Sequence, residues 1–169
     1  CCLMAFSSAM AQQMPRRNVL RETNNEFFKT EEARRIGNQV LAFQRCTGGW
    51  PKNIDMTQKM SNEELAQILK EKSRRYDSTI DNNATTMQMI YLARLYRQTK
   101  DVRYRDAFRL AVEYLLSGQY ENGGWSQFWP EMRGYQVHIT FNDDAIVNTL
   151  EILHDIMAVS YTHLRAHET

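Results

Sequence analysis

The feature that most constrains the fold of this chain is a short pattern that occurs twice. Residues 44–50 and residues 119–125 both read Q-x-x-x-G-G-W, and each follows a stretch in which apolar residues recur with helical spacing. Glycine accepts the left-handed backbone conformation that ends many helices, and a tryptophan beside it can pack over the joint. A pattern that recurs once per larger unit is typical of a helical repeat. We name these segments the first corner (44–50) and the second corner (119–125), and predict that they are equivalent joints between helices.

The rest of the chain favours helix. Apolar spacing predicts five helices, which begin near Thr30, Ser61, Ala84, Asp101 and Asp144. The third, over residues 84–99, is apolar almost all round, as expected of a helix that is buried on most sides, whereas the fourth is apolar on one face only. A buried helix paired with an amphipathic one, and repeated, indicates two concentric layers. The predicted fold class is therefore all-α, an incomplete α/α toroid, with a plain helical bundle as the alternative.

The two ends of the chain differ in composition from the middle. Residues 1–11 are apolar and then small, end on an A-x-A cleavage pattern, and are interpreted as the remnant of a secretory signal peptide. Residues 12–29 are polar and are predicted to be a linker, and residues 30–158 to form the N-terminal part of a domain. Residues 159–169 lose the helical periodicity and are expected to be a non-native tail. The signal remnant predicts a secreted or periplasmic protein.

Composition argues against several classes of protein. The formal net charge of +1 gives no basis for nucleic-acid binding by bulk electrostatics, and no apolar run reaches the roughly 20 residues of a membrane span. Cys46 is the only cysteine outside the signal remnant, so the sequence contains no disulfide framework. We expect Cys46 to be a buried free thiol.

Two predicted helices begin with clusters of acidic and amide side chains. Residues 79–86 read TIDNNATT and residues 140–147 read TFNDDAIV, so each cluster places three Asp or Asn residues before an alanine. The simplest interpretation is helix capping, although a cap needs only one such residue. If both clusters face one cleft, their oxygens suit a hard cation such as Ca²⁺ or supply the acid and base of a glycosidase. Spacing alone does not distinguish these alternatives.

The loop after the second corner contains side chains that are suited to sugar recognition. Trp129 and Tyr135 can stack on sugar rings, and Arg133 can pair with a carboxylate. The alternative is a packed loop with a solvated arginine. Lys52, just after the first corner, can meet an anion in the same way or lie in solvent. We predict that the two corner tryptophans are buried, whereas Trp129 is more exposed, near the cleft.

Three strings together resemble the pectate lyases of polysaccharide lyase family 10. They are GGWPKN at residues 48–53, STIDNNATTMQMIYLARLY at residues 78–96 and NGGWSQFWPEMRGYQVHITFNDDAIVNTLEIL at residues 122–153. The resemblance covers roughly residues 30–155, and the strings are specific as a set, although each alone is weak. It implies an α/α-toroid fold, secretion, and cleavage of polygalacturonate by Ca²⁺-assisted β-elimination. Pectate is therefore the expected partner, and Ca²⁺ the expected cofactor.

The resemblance also implies roles for individual residues. It makes Asp81 and Asp143 calcium-binding aspartates. With the sugar-binding residue types it predicts a substrate-binding set, which consists of Lys52, Trp129, Arg133, Tyr135 and Asn142. The family's catalytic base is an arginine that would lie beyond residue 169, so no catalytic residue is assigned and the chain alone is expected to be inactive. Ser126 stands where the family commonly has proline, a departure at the corner rather than at the site.

Other functions stay open from the residues alone. Asp81 and Asp143 could act as the acid and base of an inverting glycosidase, and Trp129 and Tyr135 could serve a non-catalytic carbohydrate-binding module. Terpene-cyclase-like toroids also contain Q-x-x-x-G-x-W, but they normally need an acidic D-x-D-D sequence that this chain lacks. The products distinguish these candidates, because a lyase makes an unsaturated uronide that absorbs ultraviolet light, a glycosidase makes only a new reducing end, and a binding module makes nothing.

Overall fold

The computed structural model describes residues 19–132, 134–139, 141 and 144–166, and for residues 159–166 it describes the backbone alone. The described residues form five α-helices: α1 (Glu31–Phe43), α2 (Asn62–Lys70), α3 (Thr86–Thr99), α4 (Val102–Ser117) and α5 (Ala145–Ala166). Single 3₁₀ turns lie at Val19–Arg21, Phe27–Lys29, Glu71–Ser73, Asp81–Asn83 and Gly134–Val137. Strand-like pairing among the described residues is limited to isolated bridges, so the all-α prediction is confirmed.

Three helices begin where the sequence predicts, because a side chain caps each of them. Thr30 caps α1 and Asp101 caps α4, each by accepting a hydrogen bond from a backbone amide in the first turn. Ser61 and Glu64 form the predicted capping box of α2. No residue of α2 is buried, as expected of a short surface helix.

Helix α3 forms the centre of the core. It packs against α1, α4 and α5, and its buried residues include Met89, Tyr91, Leu92 and Leu95. Helix α1 approaches α3 so closely at Gly37 that an added Cβ would overlap the Leu95 side chain. Helix α4 buries one face and exposes the other. The predicted pairing of a buried helix with an amphipathic one is therefore confirmed.

Two apolar side chains attach residues 19–29, part of the segment 12–29 that is predicted to be a linker, to the core. Leu20 and Phe28 are buried, and the Phe28 ring lies 5.2 Å from the Tyr91 ring of α3. Arg94 of α3 donates a hydrogen bond to the Glu22 carbonyl oxygen at 2.7 Å. The few apolar side chains of this polar segment are enough to attach it to α3.

The expectation of a buried thiol at Cys46 is wrong. The Cys46 thiol is exposed rather than buried, because it lies at the surface beside the Ser73 and Arg74 carbonyl oxygens. Helix α5 continues to Ala166 and so includes residues 159–166, which lack helical periodicity in the sequence. Among the described helices, none has both the length and the apolarity to cross a bilayer.

The glutamine of each corner makes the same side-chain hydrogen bond within its corner. Gln44 Nε2 donates to the Gly48 carbonyl oxygen at 2.9 Å, and Gln119 Nε2 donates to the Gly123 carbonyl oxygen at 3.1 Å. Both glycines have positive φ, 95° and 86°, which explains why glycine occupies these positions. In each corner the glutamine thus closes the turn that the glycine makes possible.

The corner tryptophans are also equivalent. Trp50 Nε1 donates to the Val40 carbonyl oxygen at 2.7 Å, and Trp125 Nε1 donates to the Leu115 carbonyl oxygen at 2.7 Å, in both cases ten residues earlier. Trp50 is fully buried and Trp125 is 1% exposed. Each indole therefore fastens the corner to the last turns of the preceding helix, and the predictions of equivalent joints and buried corner tryptophans are confirmed.

Candidate functional site

The segments that leave the two corners meet the turn before α3 and form the candidate site with it. The backbone of Thr79 pairs with Trp50 on one side and with Phe128 on the other. The Thr79 amide donates to the Trp50 carbonyl oxygen at 3.1 Å, and the next amide along donates to the Gln127 carbonyl oxygen at 3.1 Å. Because the chain leaves each corner towards this bridge, the residues just after each corner come together around Asp81.

Asp81 is the buried charged residue of this site, with 4% of its surface exposed. Its carboxylate forms an ion pair with Lys52, and Gln127 Nε2 lies 3.4 Å from its other oxygen. Lys52 is partly exposed, and its ammonium lies 5.3 Å from the centre of the Phe128 ring. A buried carboxylate is costly without a cation or donors beside it, so Lys52 and Gln127 compensate for the burial of Asp81.

The interpretation of Asp81 as a helix cap is wrong. Asp81–Asn83 forms a separate 3₁₀ turn, and α3 begins only at Thr86, without a side-chain cap from Thr85. The Asp81 carboxylate contacts side chains from the two corner segments instead. Its place in the sequence is that of a cap, but its side chain contacts Lys52 and Gln127 instead of capping α3.

The backbone around Asp81 is strained. Asn82, Asn83 and Thr85 have φ values of 52°, 61° and 65°, a conformation that is uncommon outside glycine and an outlier for a β-branched residue. The Thr85 hydroxyl accepts a hydrogen bond from the Trp50 amide at 3.0 Å and donates one to the Thr79 carbonyl oxygen at 2.8 Å. Strain of this kind persists only where neighbours enforce it, and it concentrates at functional sites.

The start of α5 lies beside the Asp81–Asn83 turn. The two elements are in contact, and Asn148 Nδ2 of α5 donates to Asn83 Oδ1 at 2.9 Å. This contact agrees with the expectation that the two clusters of acidic and amide side chains lie on one side of the fold. Three predicted site residues lie outside the described part of the chain, namely Arg133, Asn142 and Asp143. The approach of Asp143 to Asp81 therefore stays a prediction.

The prediction that Trp129 is exposed near the cleft is wrong. Trp129 is 4% exposed, its ring stacks on Tyr114 with centroids 4.1 Å apart, and its Nε1 donates to the Tyr114 carbonyl oxygen at 2.9 Å. At Gly118 an added Cβ would overlap the indole. Trp129 is therefore a core residue just after the second corner, with no ring face free for a sugar. Tyr135, by contrast, is 71% exposed.

The ability of the described residues to hold Ca²⁺ depends on Asp81. Its carboxylate and the amide oxygens of the adjacent asparagines are the hard donors that Ca²⁺ prefers. Within the described ranges, no group of three His, Cys, Asp or Glu side chains is placed to hold a metal ion, and Lys52 already contacts Asp81. The donor chemistry fits Ca²⁺, but a cation at Asp81 needs further oxygens and has to share or displace Lys52.

Gln127 is a site residue that the sequence reasoning missed. It lies two residues after Trp125, and Lys52 lies two residues after Trp50. Both side chains contact Asp81. The shared offset from the two corners is the signal that could have found Gln127, because equivalent joints direct equivalent positions to the same place.

Comparisons with known proteins assign the chain to a family. A sequence model of the family described as pectic acid lyase matches residues 44–165. Among solved structures, the chain is similar to a family 10 polysaccharide lyase from Cellvibrio cellulosa, with 34% identity and a TM-score of 0.63 over 77% of this chain and 38% of that chain. An aspartate-to-alanine mutant of that lyase in complex with trigalacturonic acid matches with 34% identity and a TM-score of 0.62, over 76% of this chain and 38% of that chain. No curated protein sequence matches the chain.

The chain spans 38% of the length of these lyases. The structural match at 34% identity confirms the predicted fold class, an incomplete α/α toroid. The family match covers well over half of the sequence and includes both corners, Lys52, Asp81 and Gln127. The chain belongs to the pectic acid lyase family.

Proposed function

We propose that this chain forms part of a pectate lyase, which cleaves α-1,4-linked polygalacturonate by Ca²⁺-assisted β-elimination. The observation that carries the proposal is the buried Asp81 carboxylate, paired with Lys52 where the two corner segments meet, inside the region that matches the family. The relative in complex with trigalacturonic acid supports a uronate oligomer as the class of substrate.

Charge determines how such a substrate can bind. Polygalacturonate carries one carboxylate per sugar, so a buried aspartate would repel it unless a cation lies between them. We assign Asp81, together with Asp143, to hold Ca²⁺. When bound, Ca²⁺ withdraws charge from a uronate carboxylate and stabilises the negative charge that develops beside it in the transition state.

The other site residues act on Asp81 or on the substrate directly. Lys52 is partly exposed on a flexible stem, so its ammonium can leave Asp81 and pair with a uronate carboxylate. Gln127 stays hydrogen-bonded to Asp81 and keeps its orientation. The strained turn at Thr85, fixed by its two hydrogen bonds, holds the Asp81 backbone in place while side chains exchange partners.

The reaction is an elimination that needs a base. The base removes the C5 proton, the electron pair forms a double bond between C4 and C5, and the bond from C4 to the glycosidic oxygen breaks. That oxygen takes a proton and becomes the reducing end of the other product. No described residue is assigned as the base, since the resemblance places that arginine further toward the C-terminus.

The substrate also bears on location. Polygalacturonate is a polymer that does not cross a lipid bilayer, so an enzyme that depolymerises it works outside the cytoplasm. The small-residue pattern that ends at Ala11 supports export through a cleaved signal peptide. We therefore include a secreted or periplasmic location in the proposed function.

The decisive experiment measures ultraviolet absorbance of the unsaturated product from polygalacturonate with Ca²⁺, and again with a chelator. In the full-length protein, Asp81→Asn is expected to lower kcat/KM by roughly 10²–10³-fold, because it removes a preorganised charge at the reacting centre. Residues 1–169 alone are expected to give no product.

Asp106→Asn is the matched control. Asp106 is an exposed residue of α4 that pairs with the adjacent Arg105, and its replacement should leave the rate unchanged. New reducing ends without ultraviolet absorbance would identify a hydrolase instead. Full elimination activity in Asp81→Asn would remove Asp81 from the active site.

A further inference from the structure

A groove of about 340 Å³ adjoins the Asp81 site. Lys52 and Asn82, which lie next to Asp81 in the site, also line this groove. Its most buried lining residues are Leu20, Met56, Ala84 and Gln88. The groove therefore has a charged and polar entrance, and an apolar floor that contains a single amide.

That amide, Gln88 in the first turn of α3, is not satisfied. Gln88 is 3% exposed, and its Oε1 has no hydrogen-bond partner among the described residues. Its Nε2 reaches only Met56 Sδ, at 3.8 Å, and a thioether is a weak acceptor. Exchanging the oxygen and nitrogen of the amide would move the unpaired atom without pairing it.

A buried polar atom without a partner is destabilising, and native structures contain few of them. Met would fill the same space without an unpaired polar atom, as Met56 and Met87 do in the same groove. A glutamine at this position therefore points to a ligand that completes its hydrogen bonding. The ligand must offer a hydrogen-bond donor, such as a sugar hydroxyl, because the apolar floor provides no other partner.

The rest of the groove defines the ligand further. Lys52 is the one cationic side chain among its lining residues, and suits a carboxylate. Val19, Ile54 and Met87, which keep apolar surface exposed in the groove, suit the C–H face of a sugar ring. Asp55 also lines the groove, but its carboxylate accepts hydrogen bonds from Thr57 and Gln58 in its own turn, at 2.6–3.0 Å. The groove thus combines a cation, an apolar surface and a buried acceptor.

We propose that this groove binds a second uronate residue of the polysaccharide, next to the residue that reacts at Asp81. Gln88 Oε1 accepts a hydrogen bond from a sugar hydroxyl, and the Lys52 ammonium pairs with the uronate carboxylate. The inference rests on the proposed function and extends it to a binding position that adds affinity for longer oligomers.

The main test replaces Gln88 with Met in the full-length protein. The melting temperature should rise, because an unpaired buried amide gives way to an apolar side chain of similar shape. The Kd for pentagalacturonate should increase about 3- to 10-fold, as for loss of one hydrogen bond. The change should be smaller for the galacturonate monomer, which is too short to occupy both positions. A purely structural glutamine would not couple higher stability to weaker binding of the longer oligomer.

Two further variants complete the design. Gln98→Met changes the same residue type on the same helix outside the groove, and should leave both Kd values unchanged. Asn53→Asp keeps an acceptor for the Asn82 amide, which donates to Asn53 Oδ1 at 3.0 Å, and aspartate tolerates the positive φ of Asn53. Its added negative charge should weaken pentagalacturonate binding, most strongly at low salt.

The outcomes separate this inference from the proposed function. If the wild-type protein shows no elimination with any uronate oligomer, the proposed function fails and the inference fails with it. If the wild-type protein is active but Gln88→Met binds pentagalacturonate and the galacturonate monomer as the wild type does, only the uronate position in the groove is overturned.

Discussion

The two corners share two side-chain hydrogen bonds but differ in their surroundings. In both, the glutamine closes the glycine turn and the indole bonds a carbonyl oxygen ten residues earlier. The first corner is covered by α4, since a Cβ at Gly48 would overlap the Leu110 carbonyl oxygen. At Gly123 of the second corner, no described atom lies within 4 Å of the position of a Cβ.

The difference teaches that the local sequence determines the geometry of a corner, whereas neighbouring helices determine how much that corner contributes to stability. Gln44 shows this well, because its Nε2 also donates to the Ala107 carbonyl oxygen of α4 at 2.8 Å. Gln119 is exposed, and its one described side-chain bond is to Gly123. The same seven-residue pattern is thus part of the core in one place and near the surface in the other.

The largest effect is expected from the feature that the corners share. Trp50→Ala and Trp125→Ala should each lower the free energy of unfolding by about 3–5 kcal/mol, because each removes a buried indole and leaves a cavity. Urea denaturation of both variants measures the two losses. If the two losses in the free energy of unfolding differ by more than about 2 kcal/mol, the two indoles are not equivalent.

A smaller but more discriminating effect is expected at the glycines. Gly123→Ala should cost about 1–2 kcal/mol, the penalty of a left-handed conformation in a residue with a Cβ. Gly48→Ala adds a steric clash with α4 to that penalty, and overpacking typically costs a further 1–3 kcal/mol. Denaturation midpoints of the two variants provide the comparison.

Equal losses at Gly48 and Gly123 would contradict the covering of the first corner by α4. Gly134→Ala is a suitable reference, because this glycine also has positive φ and no described atom lies within 4 Å of the position of its Cβ. It should behave like Gly123→Ala, and it separates the effect of conformation from the effect of packing.

Much of the fold could be predicted because it is determined locally. The caps at Thr30, Ser61 and Asp101 follow from residue type at the start of an apolar pattern, and the corners follow from a repeated spelling. The burial of Trp129 could not be predicted in this way. It depends on Tyr114, on which the ring stacks, and on Gly118, whose missing side chain leaves room for the indole.

The candidate site likewise contains residues that the sequence indicates and one that it does not. Asp81 is recognisable because its cluster contains more acidic and amide residues than a cap requires, and Lys52 and Gln127 share an offset from the corners. The unpaired amide of Gln88 has no counterpart in the sequence, since only the packing of α3 against Met56 reveals it. Residue type and spacing indicate which side chains could act, but not which partners they lack.

The glutamines should differ more subtly than the glycines. Gln44→Met should lower the free energy of unfolding by about 1–3 kcal/mol, because it leaves the buried Ala107 carbonyl oxygen without its side-chain donor. Gln119→Met removes a single bond at an exposed position, and should cost less than about 1 kcal/mol. Thermal denaturation of the two variants measures the difference. A Gln119 variant as unstable as the Gln44 variant would mean that the second corner is covered as well as the first.

The smallest expected effect concerns charge beside the first corner, where Arg45 stands at the position that Tyr120 has in the second. Burial, and to a lesser extent the positive charge of Arg45, lower the pKa of Lys72 from its usual value of 10.5. Between the lowered value and 10.5, the folded state binds fewer protons than the unfolded state, so the free energy of unfolding rises with pH in that window. Lys72→Met should lack this part of the rise, whereas replacing the exposed Lys70 with Met should retain it. Urea denaturation at pH values of about 8 and about 10.5 measures the rise in the free energy of unfolding in all three proteins. An undiminished rise in Lys72→Met would show that burial beside the first corner does not penalise the charge of Lys72.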